Sequence, residues 1–345
     1  MAPVLTPEQI IAFHEQGFVI VRGAFELDRI LRLRAAIEGL CALAAEEEDA
    51  AGGSGEPDFP PWQWLDREQR LPARMGDYLH PKKYHPEFGA WVTEDAIPQL
   101  EQLCSGRVRH NRFQMLASGG GQPYLQHWHR DWGNTKTIIG VESPTATEYA
   151  DACRGANGKH VEWNTPLLPD EHFLQVVPGS HCRACTEEEL AHIGAGFVTE
   201  EEVANGGEFT GMPGGVTVRM ELGDVCYFDA GIIHRGWNPT GINRWTMHNV
   251  SWRADIPIMW DYEPVGGSTV PDLEALVKHG SLPTAFEDYV LNFTEAVRKT
   301  QSDGSRESSF CDLWMSQNDA DKRRNWAATE AARDAVGAAA AAARL

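Results

Sequence analysis

The segment Gln126-His127-Trp128-His129-Arg130-Asp131-Trp132 sets an imidazole and a carboxylate two residues apart. On a β-strand alternate residues face the same side, so His129 and Asp131 can enter one pocket. One nitrogen and one oxygen donor form a pair suited to Fe(II). The H-x-D spacing alone is common by chance. It gains weight from a second segment, Gly223-Asp224-Val225-Cys226-Tyr227-Phe228-Asp229-Ala230-Gly231-Ile232-Ile233-His234-Arg235-Gly236. There a turn leads into a strand, and a histidine follows the strand. If the sheet folds back on itself, His234 can complete a facial triad. Such a triad leaves three adjacent coordination positions, enough for a chelating organic co-substrate and dioxygen.

Arg244 opens the next strand-like run, Trp245-Thr246-Met247-His248-Asn249-Val250. Its planar fork matches a carboxylate, so beside the distal histidine it can hold the far end of 2-oxoglutarate. A surface ion pair is the plain alternative. His248 alternates in phase with Arg244, and His127 in phase with His129, which puts both on the inward side of their strands. Trp128 and Arg130 then point the other way and pack. His110, His160 and His172 have no partner spacing that lifts them above loop or core histidines. Cys182 and Cys185 form a C-x-x-C beside His181, with no second pair and no thioredoxin-like context, and read as incidental thiols.

These side chains need short strands to position them. Strand-like pieces run over Phe113–Leu116, Tyr124–His129, Thr135–Val141, Phe173–Val177, Val216–Met220, Val225–Phe228 and Trp245–Trp252, separated by turn residues. That pattern predicts a mainly β fold, a sandwich or jelly roll. Ahead of it, Thr6-Pro7-Glu8-Gln9 reads as a capped helix start. Gly17 ends that helix, Phe18–Val21 is a strand, and a second helix runs from about Leu27 to Ala45. The region from Pro60 to Pro98 reads as loops and short helices, with Trp62, Trp64 and Trp91 available to roof a pocket. Glu142–Asp170 reads as a long insertion that covers the site as a lid. After Gly267, Leu273–Val277 and Ala285–Val297 look helical, and Asn325–Leu345 is an Ala-rich helix candidate. The expected organisation is a jelly-roll domain over 1–265 with a helical extension over 266–345 packed on it.

Composition narrows the classes. The net charge of -20 repels phosphate backbones, and no basic stripe interleaved with aromatics offsets it, so nucleic acid is not an expected partner. No polybasic patch, secretion signal or membrane-length apolar run is present, which points away from membranes. Seven scattered cysteines read as reduced thiols of a cytoplasmic protein.

Together these pieces resemble the phytanoyl-CoA dioxygenase family of Fe(II)/2-oxoglutarate-dependent oxygenases. The resemblance rests on Glu15-Gln16-Gly17-Phe18-Val19-Ile20-Val21, His129-x-Asp131, Val177-Pro178-Gly179-Ser180-His181, Gly223-Asp224, His234 and Arg244, and spans about Leu5 to Asp255. It implies a double-stranded β-helix with added helices. It implies that His129, Asp131 and His234 are the catalytic iron ligands, and that Arg244 binds the 2-oxoglutarate carboxylate. Gln114 or Arg112 is the implied assisting residue on an earlier strand. The Pro-Gly-Ser-His turn is implied to be structural. Three departures stand out: Gly236 where a small hydroxyl residue often sits, Pro169-Asp170-Glu171-His172 in place of an Asn-Gly-rich approach, and the long C-terminal extension.

The resemblance also implies a reaction class. Related halogenases replace the carboxylate of Asp131 with a small residue, so hydroxylation of an unactivated C–H bond is expected, with Fe(II), 2-oxoglutarate and O2 required and succinate and CO2 released. Desaturation, epoxidation or ring closure are alternatives within the same chemistry. An isomerase or lyase that does not use 2-oxoglutarate, and an inactive binding or scaffold relative, are the alternatives outside it. The expected partner is a small-molecule substrate, with a natural-product tailoring step as one setting, and the expected state is monomer or homodimer.

Overall fold

The computed structural model describes residues 5–50, 63–66, 71–76, 78, 84–121, 123–131, 158–183, 185–193, 198, 211–255, 270–278 and 282–302. Helix α1 (Pro7–Gln16) starts on the expected capping box: Thr6 accepts from the Gln9 N–H, and the Gln9 side chain accepts from the Thr6 N–H. Gly17 closes the helix at φ +79°, and a Cβ there would meet His181 Nδ1 at 2.4 Å. Strand β1 (Phe18–Val21) and helix α2 (Leu27–Ala50) follow. Next come β2 (Gln63–Asp66), β3 (Leu71–Gly76), α3 (Pro86–Trp91), a π-helical stretch over Val92–Ala96, and α4 (Ile97–Cys104).

The core strands are β4 (Val108–Ser118), β5 (Tyr124–Leu125), β6 (His160–Pro166), β7 (Leu174–Val176), β8 (Val216–Thr217), β9 (Val225–Asp229), β10 (His234–Asn238) and β11 (Arg244–Arg253). Helix α5 (Glu187–His192) lies between β7 and β8, and α6 (Val270–Lys278) and α7 (Thr284–Ser302) close the described chain. Among the described residues the strands form two antiparallel sheets, one ordered β1-β9-β6-β11-β4-β3-β2 and one ordered β5-β10-β7-β8. From β4 onward the chain alternates between them: β4 in the first, β5 in the second, β6 in the first, β7 and β8 in the second, β9 in the first, β10 in the second, β11 in the first. That crossing pattern is a jelly roll, a double-stranded β-helix.

Period-two alternation gives the large sheet two different faces. Phe113, Met115, Val161, Trp163, Tyr227 and Met247 share the core that buries Leu100 of α4 and Tyr289, Val290 and Phe293 of α7. The opposite face looks toward the small sheet. At one end it is apolar, where Cys226 and Phe228 meet Leu174, Val176, Val218 and Met220. Toward β11 and β4 it turns polar: Gln114, Glu162, Asn164, Arg244 and Thr246 are all buried there. A polar interior costs free energy unless its groups are paired or receive a ligand, so this end of the barrel is where a small polar molecule belongs.

Three sequence expectations change. Residues 160–166 are not part of a covering insertion but a central strand of the large sheet, paired with β9 and β11. The polar Glu162 and Asn164 hide it from a search for apolar runs, because both point into the barrel. Residues 142–157 lie outside the described residues, as do 135–141 and 325–345. The region read as loops and short helices over 60–98 does hold the short helix α3, and it also supplies β2 and β3, which extend the large sheet beyond β4. Strand β10 is also additional. It begins at His234 itself, and Gly236 and Arg235 broke its apparent pattern. Among the described residues no helix is long and apolar enough to cross a membrane.

Candidate metal centre

His129 and His234 are cross-strand partners. Each backbone N–H donates to the other's carbonyl at 2.9 Å, an isolated antiparallel bridge at the mouth of β10. The Asp131 N–H donates to the Ala230 carbonyl at 3.1 Å, which continues the same antiparallel track. The two imidazoles therefore face each other, with ring centroids 4.4 Å apart.

Each ring is oriented from behind. His129 Nδ1 donates to the His127 carbonyl at 2.9 Å, and His234 Nδ1 donates to the Ile232 carbonyl at 3.0 Å. With both Nδ1 atoms protonated, both Nε2 atoms carry the free lone pair. Those atoms converge on one carboxylate oxygen: Asp131 Oδ1 lies 3.2 Å from His129 Nε2 and 3.8 Å from His234 Nε2. Two cis ligands bound at ordinary lengths sit about 3 Å apart, so a divalent ion fits with small side-chain movements. The three ligand atoms lie within 4.8 Å of one another. Two imidazoles and one carboxylate suit a non-haem Fe(II) centre with open positions. About a third of the Asp131 side chain remains solvent-accessible, so the cluster is open on that side.

Electrostatics favour ligation at His234 and Asp131, while at His129 a proton competes with the metal. Burial, reinforced by His129, lowers the His234 imidazole to about 4, so the ring is neutral at pH 7. Burial works against a charged His129, but its hydrogen bond to Asp131 and that carboxylate's charge outweigh it and raise the imidazole. Burial likewise opposes the Asp131 carboxylate. Hydrogen bonds with Glu162 and His129, and the neighbouring imidazoles, hold it well below the usual range.

A pH dependence follows for the metal-free protein. Burial also lowers the His181 imidazole to about 4. A histidine depressed on folding contributes stability above its unfolded value near 6.5 and loses it as the pH falls toward 4. His181 and His234 should each withdraw about 2 kcal/mol between pH 7 and 4.5, with the raised His129 and the Asp229 carboxyl, which burial pushes up to about 7, offsetting a part, so the reading is made in the Asp229→Asn background. Urea denaturation at the two pH values reads the difference. Equal midpoints and slopes would mean that these imidazoles are not buried neutral.

The expected site residues are only partly gathered. Arg244, Thr246 and His248 line the inner face of β11. Arg244 Nε donates to Glu171 Oε1 at 3.0 Å, in an ion pair buried on both sides. The alternative of a surface ion pair is therefore excluded; the arginine faces the interior. Gln114 stands directly opposite His248 in the β4–β11 register and is buried on the same face. Arg112 stands opposite Val250, farther from Arg244. His248 Nδ1 hydrogen-bonds Asn164 Oδ1 at 2.7 Å, and its Nε2 lies 3.7 Å from Glu162. Glu162 also helps to hold the Asp131 carboxyl down, so polar groups run from the cluster into the barrel.

His127 contributes its carbonyl rather than its ring to the cluster. Trp128 is buried, as expected for the opposite side, and Arg235 stacks over it at 4.6 Å. Arg130 is buried too, and donates to the carbonyls of Ser180, Gly231 and Arg183, tying the Pro-Gly-Ser-His turn to the metal loop. His181 lies away from the cluster, with Nε2 donating to the His14 carbonyl at 3.1 Å. Asp224 accepts from Arg22, Gly23 and Glu221, which fastens the turn before β9 to the end of β1. Gly236 has a local reason: a Cβ there would meet the Tyr124 ring at 2.7 Å.

Sequence reading missed Gln126, Glu162 and Glu171. Gln126 Oε1 accepts from the Gly236 N–H, and its Nε2 is 3.5 Å from His129 Nε2. Glu162 was legible in principle, as a carboxylate alternating with Val161 and Trp163. Glu171 showed only as a departure from the family pattern.

No protein-family model matches the chain, and no curated protein matches it by sequence. Solved structures do. A crystal structure of EctD from S. alaskensis with bound Fe is 16% identical, with a TM-score of 0.48, over 76% of this chain and 82% of that one. AviO1 from Streptomyces viridochromogenes Tue57 is 19% identical, with a TM-score of 0.47, over 75% and 99%. HygX from Streptomyces hygroscopicus, with nickel and 2-oxoglutarate bound, is 19% identical, with a TM-score of 0.45, over 75% and 90%.

Proposed function

We propose that this chain is an Fe(II)/2-oxoglutarate-dependent oxygenase of the phytanoyl-CoA dioxygenase type, hydroxylating an unactivated C–H bond of a small molecule. One observation carries the reading: two imidazoles, each locked by a backbone carbonyl, aim Nε2 at a single oxygen of Asp131. Bound there, Fe(II) would supply the activation of dioxygen, with 2-oxoglutarate as the reductant that leaves as succinate and CO2. His129, Asp131 and His234 would hold the ion. Arg244 would bind the far carboxylate of the co-substrate within the barrel. Because Asp131 keeps its carboxylate, no ligand position is ceded to a halide, which favours hydroxylation over halogenation. The polar inner face formed by Gln114, Glu162, Asn164 and His248 favours a substrate with hydrogen-bonding groups over a plain hydrocarbon.

An anaerobic titration tests the reading. Protein loaded with Fe(II) should develop a visible charge-transfer band on addition of 2-oxoglutarate, and admission of oxygen should then release succinate. If Fe(II) binds but neither band nor succinate follows, the chain is a metal-dependent enzyme of the isomerase or lyase kind. If Fe(II) does not bind, the metal assignment itself is wrong.

A further inference from the structure

Arg244 reaches from the large sheet across the barrel to Glu171, which precedes β7 in the small sheet. Three groups close a ring there. Arg244 Nε donates to Glu171 Oε1 at 3.0 Å and to Thr246 Oγ1 at 3.0 Å, and the Thr246 hydroxyl donates to Glu171 Oε2 at 2.9 Å. The side chains of Arg244 and Glu171 are 4% and 2% exposed, so little water screens the pair. The Phe173 ring lies 5.7 Å from the guanidinium carbon. Among the described residues, Nη1 and Nη2 of Arg244 make no hydrogen bond.

A guanidinium binds a carboxylate in bidentate fashion through its Nε edge or through its Nη1–Nη2 edge. Here Nε, which belongs to the first edge, is taken from inside the protein, and the second edge is left. We infer that Glu171 is a positioning residue: it fixes Arg244 through Nε so that the Nη1–Nη2 edge is presented to an incoming carboxylate. This inference rests on the reading of the barrel as a 2-oxoglutarate site. It also accounts for how a buried arginine is tolerated before any ligand arrives, since the internal carboxylate balances its charge. The co-substrate is then recognised by one edge of a preset fork rather than by a free cation. Such a site should be sensitive to the geometry of the entering carboxylate, and should bind short dicarboxylates better than monoanions of other shape.

The test compares Glu171→Ala with Glu171→Gln in the full chain. The glutamine keeps an oxygen at Oε1 to accept from Arg244 Nε; the alanine keeps nothing. Binding of 2-oxoglutarate to the Fe(II) protein is followed anaerobically by the charge-transfer band, with Fe(II) content as the control. Glu171→Ala should weaken 2-oxoglutarate at least tenfold with iron loading unchanged, and Glu171→Gln should recover to within about threefold of the parent. Equal or tighter binding in Glu171→Ala would overturn the inference, because Glu171 would then be a competitor for the arginine. Equal loss in both variants would also overturn it, because charge and not placement would be at work. If the parent protein itself fails to bind 2-oxoglutarate while holding Fe(II), the functional reading has failed instead. Circular dichroism and thermal melts identify a variant that does not fold. In that case Thr246→Val, which removes the third member of the ring, takes its place and should weaken 2-oxoglutarate likewise; unchanged affinity there would count against the inference.

Discussion

His234→Ala should leave purification essentially without iron and without activity, and Asp131→Ala and His129→Ala should do the same. Loss of a residue that merely orients a metal ligand commonly costs 10- to 100-fold in affinity, so loss of a ligand itself should cost at least about 100-fold. The effect should be metal-specific and not a failure to fold. The carbonyls that orient the rings belong to the backbone of His127 and Ile232, and the strand bridge between residues 129 and 234 is likewise main-chain, so neither depends on the deleted imidazole. A useful contrast is His127→Ala. Simple alternation puts His127 beside His129, but the structure draws on its carbonyl, and the three-residue cluster does not include its ring. That variant should retain iron. Metal analysis of the four purified proteins decides the matter. Full iron in His234→Ala would overturn the centre, and loss of iron in His127→Ala alone would place the ligands one pair upstream.

Arg244→Ala should weaken 2-oxoglutarate by about 2–5 kcal/mol, the usual consequence of truncating one partner of a buried, hydrogen-bonded charge pair. In affinity that is roughly 30-fold to a few thousandfold. The Fe(II) site should survive, since none of the three ligand side chains bonds to Arg244. A second consequence is particular to this protein. Removing the arginine strands Glu171, a buried carboxylate, at a cost of about 3–5 kcal/mol in folding stability. The double variant Arg244→Ala/Glu171→Ala should therefore regain much of that stability without regaining 2-oxoglutarate affinity. An anaerobic titration of the charge-transfer band, paired with urea denaturation, separates the two effects. Unchanged affinity in Arg244→Ala would mean that another basic group receives the carboxylate.

How legible the site was depends on whether its information is local. His129 and Asp131 could be paired from the sequence because a strand's period of two is a property of the backbone alone. The capping box of Thr6 and Gln9 and the stop at Gly17 were legible for the same reason: short-range geometry with known side-chain partners. His234 and Arg244 were legible as residue types after a turn and at the start of a strand, but not as neighbours of His129. Their convergence needs β10 to lie in the small sheet and β11 in the large one, which no local pattern states.

Sequence alone therefore pointed to the three residues that cluster, the mainly β class and the helical entry. Tertiary structure decided the rest. It placed β6 in the middle of the large sheet, where Glu162 and Asn164 point into the barrel and so look, in one dimension, like loop residues. It turned Glu171 from a departure in a turn into the partner of Arg244, across a gap of 73 residues. It also supplied the partner of His181, the His14 carbonyl of α1, in a turn that the sequence had already marked as structural. The physical reason is common to all three. A charged or polar side chain is tolerated in a core only where another segment supplies its partner, and the chain carries no local record of which segment that will be.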